Sequence, residues 1–304
     1  MDFGKLPSIS GVDFSLPADF TGNAQLLNRL GATGSKPAVY TGAPVWSQKE
    51  WVGRIYPLGT RSQDYLKFYS QQFYTIELNT THYRIPDEDT INNWRTHSEP
   101  GFKFCPKFPQ MISHERMLQD AEAMTQSFCK SVMGLGDRLG RSFLQLPPQF
   151  SPAQLPVLRN FLETLPRGFQ LAIEFRHPAW FSKGVLRSDV TRLLEIYGAV
   201  ALITDVAGRR DVLHMSLTAP SVMVRFVGNS LHPTDYSRID AWIGRLNDWI
   251  SQGIREIYFF IHEPDNVQAP DLIQYFTQEI NIRCGLELKP WVEMNQGSQM
   301  SLFG

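Results

Sequence analysis

The 304-residue sequence predicts an α/β protein: a single (β/α)8 TIM barrel with an N-terminal extension and a short C-terminal tail. Three observations carry this expectation. Eight short apolar runs recur along the chain, segments of helical spacing separate most of them, and polar residues gather at one parity near the ends of the runs. Eight parallel strands are also the number that closes such a barrel. An open doubly wound sheet is the alternative topology, but no G-x-G-x-x-G or P-loop string supports it.

Residues 1–37, rich in Gly, Pro and Ser, hold one helical candidate, Ala24 to Leu30, and read as an extension packed across the barrel. The barrel is expected over 38–290 and the tail over 291–304. Strands are expected at 38–42, 75–79, 102–108, 142–146, 170–177, 200–205, 222–228 and 256–262. Between them, Leu66, Tyr69 and Phe73 form one helical stripe, and Leu155, Leu158, Phe161, Leu162 and Leu165 another. Leu193, Leu194 and Tyr197 follow the same spacing. The clearest stripe is Ile239, Trp242, Ile243, Leu246, Trp249 and Ile250. Segment 206–221 has no periodicity and is expected as a long loop.

Composition excludes several classes. Lys plus Arg number 29 against 30 Asp plus Glu, so no basic coat for nucleic acid exists, and polyanion affinity requires a local patch. Cys105, Cys129 and Cys284 are odd in number and far apart, which fits reduced thiols and no disulfide framework. The first residues lack the charged and apolar regions of a secretory signal, and no apolar run reaches membrane-spanning length. The expected location is cytoplasmic, with no membrane partner.

Strand parity then picks out a site. Alternate side chains face opposite sides of a strand; in a barrel, one set meets the helices and must be apolar. Ile76 and Leu78 take the helix side, leaving Glu77 and Asn79 inside. Phe102, Phe104 and Phe108 leave Lys103, Cys105 and Lys107 inside, Leu144 and Leu146 leave Gln145, and Leu171, Ile173 and Phe175 leave Glu174 and Arg176. Arg225 opposes Val222, Val224 and Phe226, and His262 opposes Ile257, Phe259 and Ile261. Asp205, which shares parity with Ala201 and Ile203, is counted with the inward acids. These residues are expected to converge at the C-terminal mouth, where barrel active sites are built.

The expected roles follow from chemistry. Arg176 and Arg225 suit bidentate grip of phosphate or carboxylate. Glu174 among apolar walls is expected to have a raised pKa and to act as general acid or base, with Asp205 and Glu77 as further catalytic carboxylates. Glu77, nearer mid-strand, can instead pair with Lys107 or Arg176. Lys107 suits carbonyl polarisation or, when desolvated, base or imine chemistry. Asn79 and Gln145 orient or contact substrate. Trp46, Tyr83 and Trp180 follow strands one, two and five and are expected near the mouth as stacking platforms. His177 joins the mouth if its strand ends at Arg176. Glu174, Asp205, His177 and His262 carry metal-donor atoms, but no H-E-x-x-H or similar pair exists, and no metal or cofactor is assigned.

The strings G-A-P-V-W-S-Q-K-E-W (42–51), F-Y-T-I-E-L-N-T-T-H-Y (73–83), K-F-P (107–109), L-Q-L-P-P-Q-F (144–150), E-F-R-H-P-A-W-F (174–181), Asp205 and V-R-F-V-G (224–228) resemble the YecE-like family, domain of unknown function 72. The resemblance spans about 38–280 and implies a (β/α)8 barrel without an assigned reaction. It departs from the family pattern at Arg225–Gly228, which lacks the usual histidine of R-x-H-G, and at His262-Glu263-Pro264, where the family is Asn-rich. At the C-terminus, Gln299, Met300, Ser301, Leu302 and Phe303 resemble the bacterial sliding-clamp-binding peptide, a polar hook followed by two apolar anchors. Three functions are compatible with these features. The first is a DNA-maintenance enzyme acting on a phosphate-bearing substrate and tethered to the clamp. The second is an acid–base isomerase, lyase or hydrolase of a sugar or sugar phosphate; the third is a non-catalytic anion-binding module.

Overall fold

The apolar runs become strands and the amphipathic stretches become helices in the expected alternation. The computed structural model describes residues 4, 6–31 and 35–294. Gln299, Met300, Leu302 and Phe303 of the tail pattern lie outside them. Helix α1 (Gly22–Leu30) precedes β1 (Ala38–Gly42), α2 (Tyr65–Gln72), β2 (Thr75–Leu78), α3 (Glu88–Thr96), β3 (Lys103–Pro106) and α4 (Glu122–Met133). Then come β4 (Ser142–Gln145), α5 (Leu155–Glu163), β5 (Leu171–Glu174), the short β6 (Phe181–Ser182) and β7 (Val185–Leu186), and α6 (Ser188–Tyr197). The sixth apolar run divides into β8 (Val200–Ala201) and β9 (Ile203–Asp205). The chain continues through β10 (Ser221–Val227), α7 (Pro233–Ser251), β11 (Glu256–His262) and α8 (Ala269–Cys284).

The fold is mixed α/β with parallel sheets, not one uninterrupted ladder. One four-stranded sheet has the order β1-β11-β10-β9, a second pairs β2 with β3, a third has the order β4-β5-β8, and β6 and β7 form an antiparallel hairpin. Single contacts span the gaps. Tyr74 N donates to Thr41 O at 3.2 Å and Glu77 N to Ala43 O at 3.3 Å, joining β1 to β2. Gly140 N donates to Phe104 O at 2.7 Å and Phe108 N to Phe143 O at 2.9 Å, joining β3 to β4. The break within the sixth run has a local cause: Ala201 N donates to the Thr218 hydroxyl at 2.9 Å instead of a neighbouring strand.

Helix ends follow ordinary chemistry. Asp87 caps α3 by accepting from Thr90 N at 2.9 Å. Gly198 and Gly285 end α6 and α8 in the left-handed region, which costs glycine no Cβ clash. On α7, Ile239, Trp242, Ile243, Leu246 and Trp249 are all buried, as their spacing requires. The helix-facing parity of β10 and β11 packs with them: Val222, Val224, Phe226, Ile257, Phe259 and Ile261. The opposite parity makes a smaller core of Cys105, Phe143, Ala172, Leu202, Met223, Tyr258 and Phe260. No helix among the described residues is long and apolar enough to cross a membrane.

One segment differs from expectation in character. The stretch after β9 is no surface loop: Leu213, His214, Met215, Ser216 and Leu217 are buried, and Asn23 of α1 clamps it through Met215 O (2.6 Å) and Leu217 N (2.8 Å). The N-terminal residues before α1 form a strap. Gly4 O accepts from Gly208 N at 3.0 Å, Ser15 O from Arg210, and Asp19 from Arg245 and from the Trp249 indole. Phe14 lies under two guanidinium groups, those of Arg238 at 4.8 Å and Arg210 at 5.5 Å.

Candidate functional site

Because the main strands run parallel, their C-terminal ends share one side, and the inward residues there form a continuous polar network. Arg225 on β10 is its centre. Its Nε and Nη2 donate to the two oxygens of Glu77 at 2.8 and 3.0 Å, and its Nη1 donates to Glu174 Oε2 at 2.8 Å. Arg176 Nε donates to Glu174 Oε1 at 2.8 Å. Gln145 links Glu174 to Lys107, donating to the first at 2.7 Å and accepting from the second at 2.9 Å. At the far end, His262 Nε2 and Asn79 Nδ2 both donate to Glu77, at 2.8 and 3.0 Å. Glu77, Glu174 and Arg225 are essentially sealed from solvent.

The electrostatics follow from this wiring. Burial pushes the Glu174 carboxyl up, but Arg176 and Arg225 pull it further down, to about 2. The sequence-based expectation of a raised Glu174 pKa is thereby corrected: burial alone would raise it, and two buried cations overrule burial. Burial also opposes ionisation of Glu77, and Arg225 and His262 hold it well below the usual carboxylate range. Lys107 is lowered to about 8, by burial first and then by Arg225, with the two carboxylates partly offsetting. Among the described residues the network joins three cations, Lys107, Arg176 and Arg225, to two carboxylates, Glu77 and Glu174.

Two histidines that sequence reasoning passed over flank the cationic end. His82 and His114 stand edge to face, 5.2 Å between ring centres. Each is lowered to about 4, by burial and then by Lys107. His82 Nδ1 donates to the Phe108 carbonyl at 2.8 Å. His114 Nδ1 lies 2.8 Å from the Ser113 hydroxyl, which itself donates to Pro109 O. Both rings thus keep their proton on Nδ1 and present Nε2 as an acceptor. They lie on short 3-10 and π turns after β2 and β3, where no strand parity points to them.

Four expected site residues lie elsewhere. Asp205 faces α7, not the network: it pairs with Arg238 at 2.9 Å and with Arg210, and accepts from the Trp242 indole at 2.8 Å. Its parity with Ile203, which packs against the helices, is the physical reason. Trp180 is buried in the helix-side core, donating to Phe150 O at 2.7 Å and packing on Phe175. Trp46 packs edge-on against Trp94 and Phe104. His177 caps a 3-10 turn by accepting from Ala179 N at 3.1 Å. Tyr83 is 76% exposed, its ring edge against His82. Arg225, expected to grip an anion, instead has all three of its nitrogens on Glu77 and Glu174. Among the described residues, no three His, Cys, Asp or Glu side chains are grouped to hold a metal ion.

A cavity of about 600 Å³ opens at the Glu77 end. Asn79 and His262 line it from the network side, Val227, Gly228 and Glu263 from β10 and β11, and Leu6, Pro7 and Ile9 of the strap close it over.

A family model described as "Protein of unknown function DUF72" matches residues 40–295. The chain is 32% identical over 260 residues to UPF0759 protein YecE of Escherichia coli strain K12, covering 80% of this chain and 92% of that protein. It is 28% identical over 155 residues to UPF0759 protein YunF of Bacillus subtilis strain 168, covering 47% and 52%. Among solved structures, it resembles a DUF72 family protein of Thermotoga maritima MSB8, with a TM-score of 0.63 and 23% identity over 80% of this chain and 99% of that one. A DUF72 family protein of Enterococcus faecalis V583 gives a TM-score of 0.62 at 17% identity, over 81% and 98%.

Proposed function

The chain belongs to the DUF72 family, and from that membership and the geometry of the polar network we propose that it binds a small anionic, phosphate- or carboxylate-bearing molecule at the C-terminal ends of its strands. We infer that the eight parallel segments work together as one barrel, the bridging hydrogen bonds closing the gaps between ladders. The observation carrying the functional reading is the convergence of Lys107, Arg176 and Arg225 with Glu77 and Glu174 at the C-terminal ends of the strands, beside two histidines kept neutral. Buried cations gathered at one site suit an anionic ligand. Lys107, lowered to about 8, then serves as the residue that exchanges a proton with the bound molecule near neutral pH. Acid–base conversion of a small molecule fits this network better than nucleotide-polymer chemistry, because the charged groups are sealed and carry no extended basic track. The residue pattern at 299–303 supports a second, separable reading, that the tail attaches this protein to a sliding clamp.

The test is ligand-linked stability. Phosphate or sulfate at ten times Kd is expected to stabilise the native state by about 1.4 kcal/mol, raising Tm by about 2–4 °C. Lys107→Met and Arg176→Met are expected to remove most of that rise. Variants that respond to phosphate as the parent does would refute an anion site at this end of the network.

A further inference from the structure

Glu263 follows His262 at the end of β11 and takes no part in the network described above. It is 4% exposed, and its Oε2 accepts from Ser230 N at 2.7 Å. Its Oε1 is buried and has no hydrogen-bond partner among the described residues. That oxygen lies against Gly228: a Cβ built there would stand 2.3 Å from it, so glycine is what gives the carboxyl its room. Burial, with help from Asp235, raises its pKa to about 7, so near neutrality both its proton-donating and proton-accepting forms are populated. A buried polar atom left without a partner is destabilising, and the carboxyl that carries it belongs to a residue lining the cavity. The remaining walls are mixed: Val227 and Ile9 are apolar, and Asn79 and His262 are polar. About 600 Å³ is the size of an ordinary small-molecule site.

We propose that this cavity holds the uncharged, hydroxyl-bearing body of a sugar phosphate or closely similar acid sugar, with Glu263 hydrogen-bonded to one of its hydroxyls. The assignment rests on the anion reading only for the placement of the charged group. Asn79 and His262 connect the cavity wall to the network, since each lines the cavity and each donates to Glu77. Apolar walls receive the C–H faces of a sugar ring, and the carboxyl takes a hydroxyl in either protonation state, as donor or as acceptor. The Glu263 carboxyl in the cavity wall disfavours a ligand charged along its whole length, so the charge is placed at one end only.

Titration calorimetry at pH 7 tests this with inorganic phosphate, ribose 5-phosphate, glucose 6-phosphate, free ribose and free glucose. The parent is expected to bind at least one sugar phosphate about ten-fold or more tighter than inorganic phosphate, the gain of roughly one good hydrogen bond plus ring burial. Glu263→Gln, which cannot alternate between donor and acceptor oxygens, and Gly228→Ala, which displaces the carboxyl, are each expected to cut that advantage to about three-fold or less. Both should leave phosphate affinity within about two-fold of the parent, because neither residue touches the cationic end. Sugar phosphates no tighter than phosphate in the parent, or an advantage retained by both variants, would overturn the cavity assignment. Absence of phosphate binding itself would refute the anion reading instead. In that case the free sugars decide: Glu263-dependent binding sustains the cavity site, and no binding rejects it.

Discussion

At the scale of single residues, Arg225 and the two flanking histidines lend themselves to direct measurement. Arg225 neutralises two sealed carboxylates, so Arg225→Met strands both Glu77 and Glu174 in the interior. The expected loss is on the order of 3–5 kcal/mol, read as a fall in the urea midpoint at unchanged slope. A loss below about 1 kcal/mol would mean that water reaches the carboxylates. The histidines act through pH. His82 and His114 are held at about 4 in the native state against an ordinary 6.5, so the unfolded chain takes up protons that the native chain refuses. Their contribution is complete above pH 6.5 and is lost as pH falls from there towards 4. His82→Asn with His114→Asn is therefore expected to flatten the acid limb of stability by on the order of 1–2 kcal/mol, seen in urea melts at pH 7 and pH 5. An acid limb as steep as the parent's would show that the rings are already solvated. Most members of the network were legible from parity because a strand repeats every two residues. The flanking His82 and His114 were not, because they lie on the 3-10 and π turns after β2 and β3, where a period of two does not hold.

At the scale of elements, the instructive case is Asp205. It was expected at the mouth, yet it shares the parity of Ala201 and Ile203, which pack on the helix side. Its actual task is to tie β9 to α7 and to the strap, since Arg210 and Arg238, its two partners, also hold Phe14 between them. Two substitutions separate these links. Phe14→Ala is expected to release the strap to protease cleavage near residues 6–20 while costing the rest of the fold about 1–2 kcal/mol or less. Asp205→Ala is expected to cost on the order of 3–5 kcal/mol, because Arg238 is then left buried with one carboxylate fewer. Limited proteolysis followed by a urea melt distinguishes the two. Equal global destabilisation by both would show that the strap is part of the core. An extension over the barrel was legible at the N-terminus, but the buried course of 213–217 was not, since it has no period and is held by a side chain from a distant part of the chain, Asn23.

At the scale of the whole molecule, the number and direction of the main strands were readable, and the interruptions between ladders were not. A hydroxyl that captures a strand amide, as Thr218 does at Ala201, leaves no trace in hydrophobic spacing. The tail is the one feature whose proposed role lies outside the folded body. A peptide of residues 295–304 is expected to bind a bacterial sliding clamp in the micromolar range that suits a short segment ordering on contact. Gln299→Ala, or Leu302→Ala with Phe303→Ala, is expected to abolish that binding and leave Tm unchanged, measured by fluorescence anisotropy and a thermal melt. Binding that survives both changes would refute the clamp attachment.

The strap also sets an order of events during synthesis. Its anchoring partners come roughly two hundred residues later in the chain: Ser15 binds Arg210, Asp19 binds Arg245, and Asn23 binds Met215 at a separation of 192 residues. A ribosome delivers the strap long before it delivers anything for the strap to hold. Until β9 and α7 emerge, residues 6–20 have no docking surface, and β1 likewise waits for β11, its ladder partner. The cavity roof is thus among the last parts of the molecule to assemble, although its residues are among the first translated. A nascent chain stalled before residue 256 is expected to carry an open mouth, since β11 has yet to pair with β1 and His262 and Glu263 have yet to reach the cavity wall.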